Sequence, residues 1–311
     1  MDSSHDRTAS LMTPAKLAQV AAAARKPISP AAFLDQMAAD VGHAHVKRLA
    51  ELQVELEGHG RESQAATIQP ALARLRKALD PLDFSLLQPQ GLWASMTGKS
   101  RNAGAGFASR VEQIDELARA FAGEVQSVLQ QQQAPAGAAE RALVEFEVEY
   151  RALDKIIDQG ARWLQDMRGQ LKARHAQAAA DPAAQEQIRA DAARCETLVG
   201  RLKALRAAAS ASQQAHQLVR TTAERRAALM AQMPRVIGNE IREWRSRLGT
   251  LATAAAEGKV AGLNLEGPKE VHEELGKRLD QLLADCGQLR AQEEALARQL
   301  AVMGEQLAAA A

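Results

Sequence analysis

LVEFEVEYRALDKIIDQGARWLQDMRGQL, residues 143–171, sets Leu143, Phe146, Tyr150, Leu153, Ile157, Gly160, Leu164, Met167 and Leu171 at alternating steps of three and four. A helix turns once in 3.6 residues, so this spacing holds one apolar row on one side over several turns. Such a row is a helix–helix seam. A strand would show period two instead.

Downstream, Asp181-Pro182 reads as a stop followed by a cap, with Pro at the first helical position. The next seam runs through Ile188, Cys195, Leu198, Leu202, Leu205, Ala209, Val219, Ala223, Met230, Met233, Ile237, Trp244 and Leu251. Pro234 lies inside it and predicts a kink. Gly258, Gly262 and Gly267-Pro268 mark a loop, after which Leu275, Leu279, Leu282, Cys286, Leu289, Leu296, Leu300, Met303 and Leu307 form a last seam.

Upstream, Val111, Ile114, Ala118, Phe121, Val125 and Val128 predict another helix, closed by Gln130–Gln133 and Ala134-Pro135. Pro89, Gly91, Gly98, Gly104 and Gly106 make 81–107 an irregular connection. It also holds Phe84 and Trp93. Ile68, Leu72, Leu75 and Leu79 predict a helix starting near Pro70. Before it, Leu34, Met37, Val41, Ala44, Leu49, Leu52 and Leu56 share one stripe of a helix opened by Ser29-Pro30.

If the chain reverses near Asp181, residues equidistant from it face each other. Tyr150 then lies level with Ser212, and Phe146 with His216. A buried Tyr hydroxyl needs a partner, which predicts a Tyr150 contact to Ser212 or His216. A second reversal near Gly262 pairs the last helix with about Arg225 to Ala256. The expectation is an all-α, elongated antiparallel coiled-coil or helical bundle built on one long spine helix. Its parts are a disordered 1–12, N-terminal helices over 13–80, the loop 81–107, a coiled-coil core over 108–256, a loop at 257–268 and a C-terminal helix over 269–307.

Composition agrees. The 311 residues are 46% hydrophobic but only 3% aromatic. Roughly a fifth are Ala, far above ordinary usage. Strands favour β-branched and aromatic residues, whereas Ala, Leu, Gln, Glu and Arg favour helix. The net charge of +1 gives no global argument for nucleic acid. The polar start MDSSHDRTAS has no apolar leader, and no apolar run reaches the length of a membrane span. A reducing, cytoplasmic setting is expected.

Signals for chemistry are weak. Gly98-Lys99-Ser100 ends like a phosphate loop, but Trp93 stands where that loop needs Gly, and no apolar strand precedes it. Cys195 and Cys286 lie on seams about 60 Å of helix apart, too far for a disulfide or a shared metal. His43 and His45 cannot share a helix face. No catalytic residue, cofactor or metal is expected. Arg220, Arg225, Arg226, Arg235, Arg242, Arg245 and Arg247 make a basic stretch, and the last helix is acidic. This reads first as ion pairs along a bundle.

Gly91-Leu92-Trp93, Gly98-Lys99-Ser100, Phe107, Arg110 and Gln113-Ile114-Asp115, then Asp158-Gln159-Gly160 and Ile237, Asn239, Ile241, Trp244, Arg245, together resemble the TelA-type toxic anion resistance (tellurite resistance) family. The likeness covers about residues 80–250. Arg242 and Arg247 depart from its pattern, as do Thr221-Thr222-Ala223-Glu224 and Gln130–Gln133. The resemblance implies a bacterial, cytoplasmic, largely helical stress-response protein without catalytic residues to carry over.

The expected function is therefore a non-enzymatic helical protein of tellurite resistance acting through protein contacts, self-association included. Trp93, Lys99, Arg101, Arg110, Arg242, Trp244 and Arg245 form its candidate interaction surface. Two other readings stand beside it. One is an enzyme or anion- or nucleotide-binding protein using the Lys99/Arg101 loop. The other is a nucleic-acid or membrane-surface binder using 220–247.

Overall fold

A computed structural model describes residues 39–60, 64–87, 99–131, 136–178, 181–259 and 263–311. Its helices are α1 (His43–Gly60), α2 (Gln64–Leu79), α3 (Lys99–Gln131), α4 (Ala136–Gln177), α5 (Pro182–Val236), α6 (Arg242–Ala256) and α7 (Glu266–Ala309). Phe84–Leu87 forms a 3-10 turn, and a π-helical stretch, Ile237–Ile241, joins α5 to α6 without a break. The protein is all-α, with no strand among the described residues.

The chain divides into two compact units. The first comprises the described part of Met1–Ala50 with Val148–Ala211 and Gly304–Ala311; the second is Glu51–Glu147 with Ser212–Met303. In the first, α4 and α5 run antiparallel. Gly160 packs under Leu202. Arg168 reaches Glu196 at 3.1 Å, and Arg174 reaches Asp191 at 2.7 Å. All three pairs match a reversal at Asp181, whose side chain accepts the Ala183 N–H at 3.0 Å. A cap and a Pro without an N–H to satisfy start α5 where the sequence placed it.

Arg201 holds this unit together at one end. Its guanidinium donates to the Val41 carbonyl at 3.2 Å and to that of Ala310. Burial pushes its pKa down. The turn at Val41 and Gly42 interrupts the helix expected across this point. Gly42 adopts φ +76°, a conformation that side chains rarely take. With α1 starting at His43, Ala44 is exposed, and Val46 and His45 are buried instead. His45 meets Glu149 at 2.6 Å.

The second unit holds one continuous core. Phe107, Phe121, Trp244, Ile68, Leu72, Leu75, Leu279 and Leu282 are all buried in it. Here α7 runs back along the end of α5 and α6: Arg226 meets Glu293 at 2.8 Å and Arg278 meets Glu240 at 3.9 Å. In the same unit Phe146 and His216 stack 6.2 Å apart, the level the reversal at Asp181 assigns them.

Several boundaries differ from expectation. Helix α3 starts at Lys99, inside the segment read as irregular through 107. Gly104 is helical because α3 and α6 meet backbone to backbone there: a Cβ would lie 2.2 Å from the Ala255 carbonyl oxygen. Helix α2 starts at Gln64 and carries Pro70 inside it; burial of Ala65, Ile68 and Ala71 offsets what the Pro costs. Helix α7 starts at Glu266, with Pro268 in its first turn, where a missing N–H is harmless. Between Ala209 and Leu229 the buried row is Ala211, Ser212, Ala215, His216 and Thr222; Ala223 is exposed and Val219 half-buried. Tyr150 is buried rather than in solvent, and in the second unit the Ser212 hydroxyl has no hydrogen-bond partner.

Candidate functional site

In the second unit, the end of α2, the segment through the 3-10 turn and the first turns of α7 enclose an open groove of about 710 Å³. The groove exists because Asp80-Pro81 stops α2. Asp83 then caps the turn, accepting the Ser85 N–H at 2.8 Å and its hydroxyl at 2.8 Å. Those two bonds pull the Asp83 pKa down. On the far side, Asn264 accepts the Glu266 N–H at 2.9 Å and starts α7.

His272 forms the wall of the groove. The Trp244 indole donates to its Nδ1 at 3.1 Å, and its Nε2 lies 3.2 Å from the Leu79 carbonyl. Phe84 meets both His272 and Phe107 edge-on, each at 5.5 Å. Burial, its largest influence, pushes the His272 pKa down. Along the rim, Arg76 donates to Asp280 at 2.7 Å and also binds Asp80. The bond to Asp280, then that to Asp80, raises the Arg76 pKa. Lys269, Glu273 and Lys277 complete the lining. Basic and acidic groups alternate, and the arginine is already paired.

Of the seven residues expected at one interaction surface, the side chains of Arg110, Arg242, Trp244 and Arg245 are described. Trp93 lies outside the described residues. Lys99 and Arg101 sit in the first turn of α3, and their side chains are likewise outside the description. Arg110 and Arg242 are exposed. Trp244 is fully buried, at 0%, and belongs to the core rather than to an interaction surface. An indole in the middle of a helical bundle contributes most by filling volume. Arg245 is partly exposed and donates to Asp115, which also holds Arg119. Asp115 and Arg245 thus join two of the segments that carry the family resemblance.

His272 and Asp115 escaped the sequence reading as members of a site. The signal for His272 was an indole on a seam, which needs an acceptor once buried. Both thiols, Cys195 and Cys286, are free and buried. Burial raises both, Cys286 to about 11. A second groove, of about 390 Å³, lies in the first unit, with Ile157, Leu164 and Leu202 on its floor and Arg168, Lys203 and Arg206 on its rim. No helix among the described residues is long and apolar enough to cross a membrane. Compared with protein-family models, with curated proteins and with solved structures, the chain finds no match.

Proposed function

We propose that this chain is a non-enzymatic helical protein that acts through protein contacts, and that its process is tolerance of toxic anions such as tellurite. The observation that carries the first half is how its reactive groups are used. Both nitrogens of His272 are engaged in packing contacts, both thiols are buried, and Asp115 and Asp191 are held by arginines. A nucleophile or general acid must be free to reach its substrate, and these groups are either buried or already engaged. Of the basic stretch, Arg220, Arg226, Arg245 and Arg247 are in ion pairs, which supports the bundle reading over a free basic surface. Val54, Leu86, Val144 and Val302 are exposed, as contact residues would be.

The tellurite half rests on the motifs between Gly91 and Arg245. Deleting the gene in its host should lower the tellurite concentration that stops growth, and returning the chain should restore it. Unchanged tolerance removes the tellurite role. Separately, titration calorimetry with tellurite, phosphate and ATP should give no heat; saturable heat that Lys99→Ala abolishes would replace this reading with the anion-binding one.

A further inference from the structure

We propose that His272 is a proton-operated latch, closed when its ring is neutral, that ties the end of α2 to α7 beside the groove. The geometry allows one protonation state. An indole N–H can only donate, so Nδ1, which faces Trp244 at 3.1 Å, must present its lone pair. The proton of the neutral ring then sits on Nε2 and is donated to the Leu79 carbonyl at 3.2 Å. That carbonyl belongs to the last residue of α2 and also accepts the Leu82 N–H at 3.1 Å. One neutral imidazole therefore satisfies one donor and one acceptor from two other helices.

The imidazolium donates from both nitrogens. Its Nδ1–H would point at the Trp244 N–H. The indole is fully buried and has no water to turn to. The ring must leave, and with it goes the Leu79 bond and the edge-on contact to Phe84 at 5.5 Å. The polar links from α2 to α7 that do not involve His272 include Arg76 to Asp280 across the rim and Arg290 to Gln69 at 3.4 Å farther along.

The charges around the ring do not hold it protonated. Helix α2 presents Arg76 and Asp80, the turn presents Asp83, and α7 itself presents Lys269, Glu273, Lys277 and Asp280. From α6 comes the uncharged Trp244, and α3 brings Phe107 to the outer edge of Phe84. Burial, the largest influence, opposes a proton on His272, as does Arg76; the Leu79 carbonyl, Glu273 and Asp80 favour one, and burial prevails. Because burial holds the folded ring below the ordinary value of about 6.5, the open form takes up the proton first as pH falls. The latch contributes fully above about pH 6.5 and is lost as pH falls through the lower folded value.

The test uses the full chain with Trp93→Phe and Trp163→Phe, leaving Trp244 as the only indole. Its ¹⁵N–¹H cross-peak and the His272 Cε1 resonance are followed from pH 7.5 to 4.5. The two should move together, with one midpoint below about 6.5, and exchange protection of the indole proton should fall by about tenfold or more. His272→Gln can accept and donate in the same way without titrating, so it should abolish the transition. An indole signal that stays in place while His272 titrates overturns the latch. So does a transition that survives His272→Gln at the same midpoint. If that variant does not fold, the two parent resonances decide by themselves.

Discussion

In the second unit, rings fill the interior: Phe107, Phe121, Phe146 and Trp244 are each 0% exposed. In the first, the most deeply buried side chains are leucines and alanines, such as Leu153, Leu198, Leu205 and Ala208. The polar groups follow the same division. The second unit turns a buried histidine into a neutral link between an indole and a helix end. The first sets a fully buried carboxylate, Asp191, among Arg174, Arg194 and Gln187, and spans carbonyls with Arg201. Where several helices converge, volume is available for rings and burial holds the elements in place. Where two helices meet along a narrow seam, less apolar area is removed from water, and directed hydrogen bonds fix the register.

Truncating Trp244 is the harshest test of that division. Trp244→Ala removes the largest fully buried side chain among the described residues and strands the His272 acceptor. It should cost about 3–5 kcal/mol, by analogy with other large-to-small core changes. Urea unfolding followed by circular dichroism measures it. A loss under about 1 kcal/mol would mean that rings do not carry the second unit.

Gly104→Ala comes next. Its Cβ would meet backbone, the Ala255 carbonyl oxygen at 2.2 Å, so α3 and α6 must move apart. The expected cost is about 1–3 kcal/mol. Gly106 lies two residues away in the same helix with open space around its Cβ position. There the same substitution should stabilise, by about 0.5–1 kcal/mol, through helix propensity alone. Equal effects at the two sites would deny the close approach.

In the first unit, Asp191→Ala should cost about 1–2 kcal/mol, the loss of hydrogen bonds to charged groups that can partly rehydrate. The Arg174 and Arg194 side chains are 38% and 34% exposed, which keeps the figure below that of a sealed ion pair. If Asp191→Leu proved more stable than the parent, the carboxylate would be setting register at a cost in stability. That outcome would sharpen the contrast between the units.

How far the sequence carries can be read from particular residues. Phe146, Tyr150, Leu153, Ile157, Leu164, Met167 and Leu171 are all buried, as their spacing demanded, while Leu143, which opens the row, is half-buried. Asp181-Pro182 placed the first reversal correctly because cap and Pro act locally. The second reversal was harder, since three glycine sites compete. Trp244 and His272 face each other about Gly258, which takes φ +73°, rather than about Gly262. Centring on Gly262 sets Trp244 opposite Asp280 and hides the histidine. Gly104 looked like a loop residue because a glycine needed for close packing and one needed for a turn are the same letter. Ser212 and His216 were placed on the seam by the register of the first reversal, whereas Thr222 was missed because a polar side chain carries no apolar signal, however deeply it lies.

Gly160→Ala is the smallest effect and discriminates most finely between the two kinds of seam. Its Cβ would meet Leu202 at 2.8 Å, but the atom touched is Cδ2, the far end of a side chain that can rotate. Gaining Ala over Gly inside a helix is worth about 0.5–1 kcal/mol. Moving Leu202 off its preferred rotamer costs about 0.5–1.5 kcal/mol. The two should nearly cancel, leaving a change within about 0.5 kcal/mol, typical of a site that relaxes. Leucine faces the groove here, so it has somewhere to go. A loss as large as that of Gly104→Ala would mean that the α4–α5 seam is packed as rigidly as the α3–α6 contact, and the difference between the units would then lie in their charges alone.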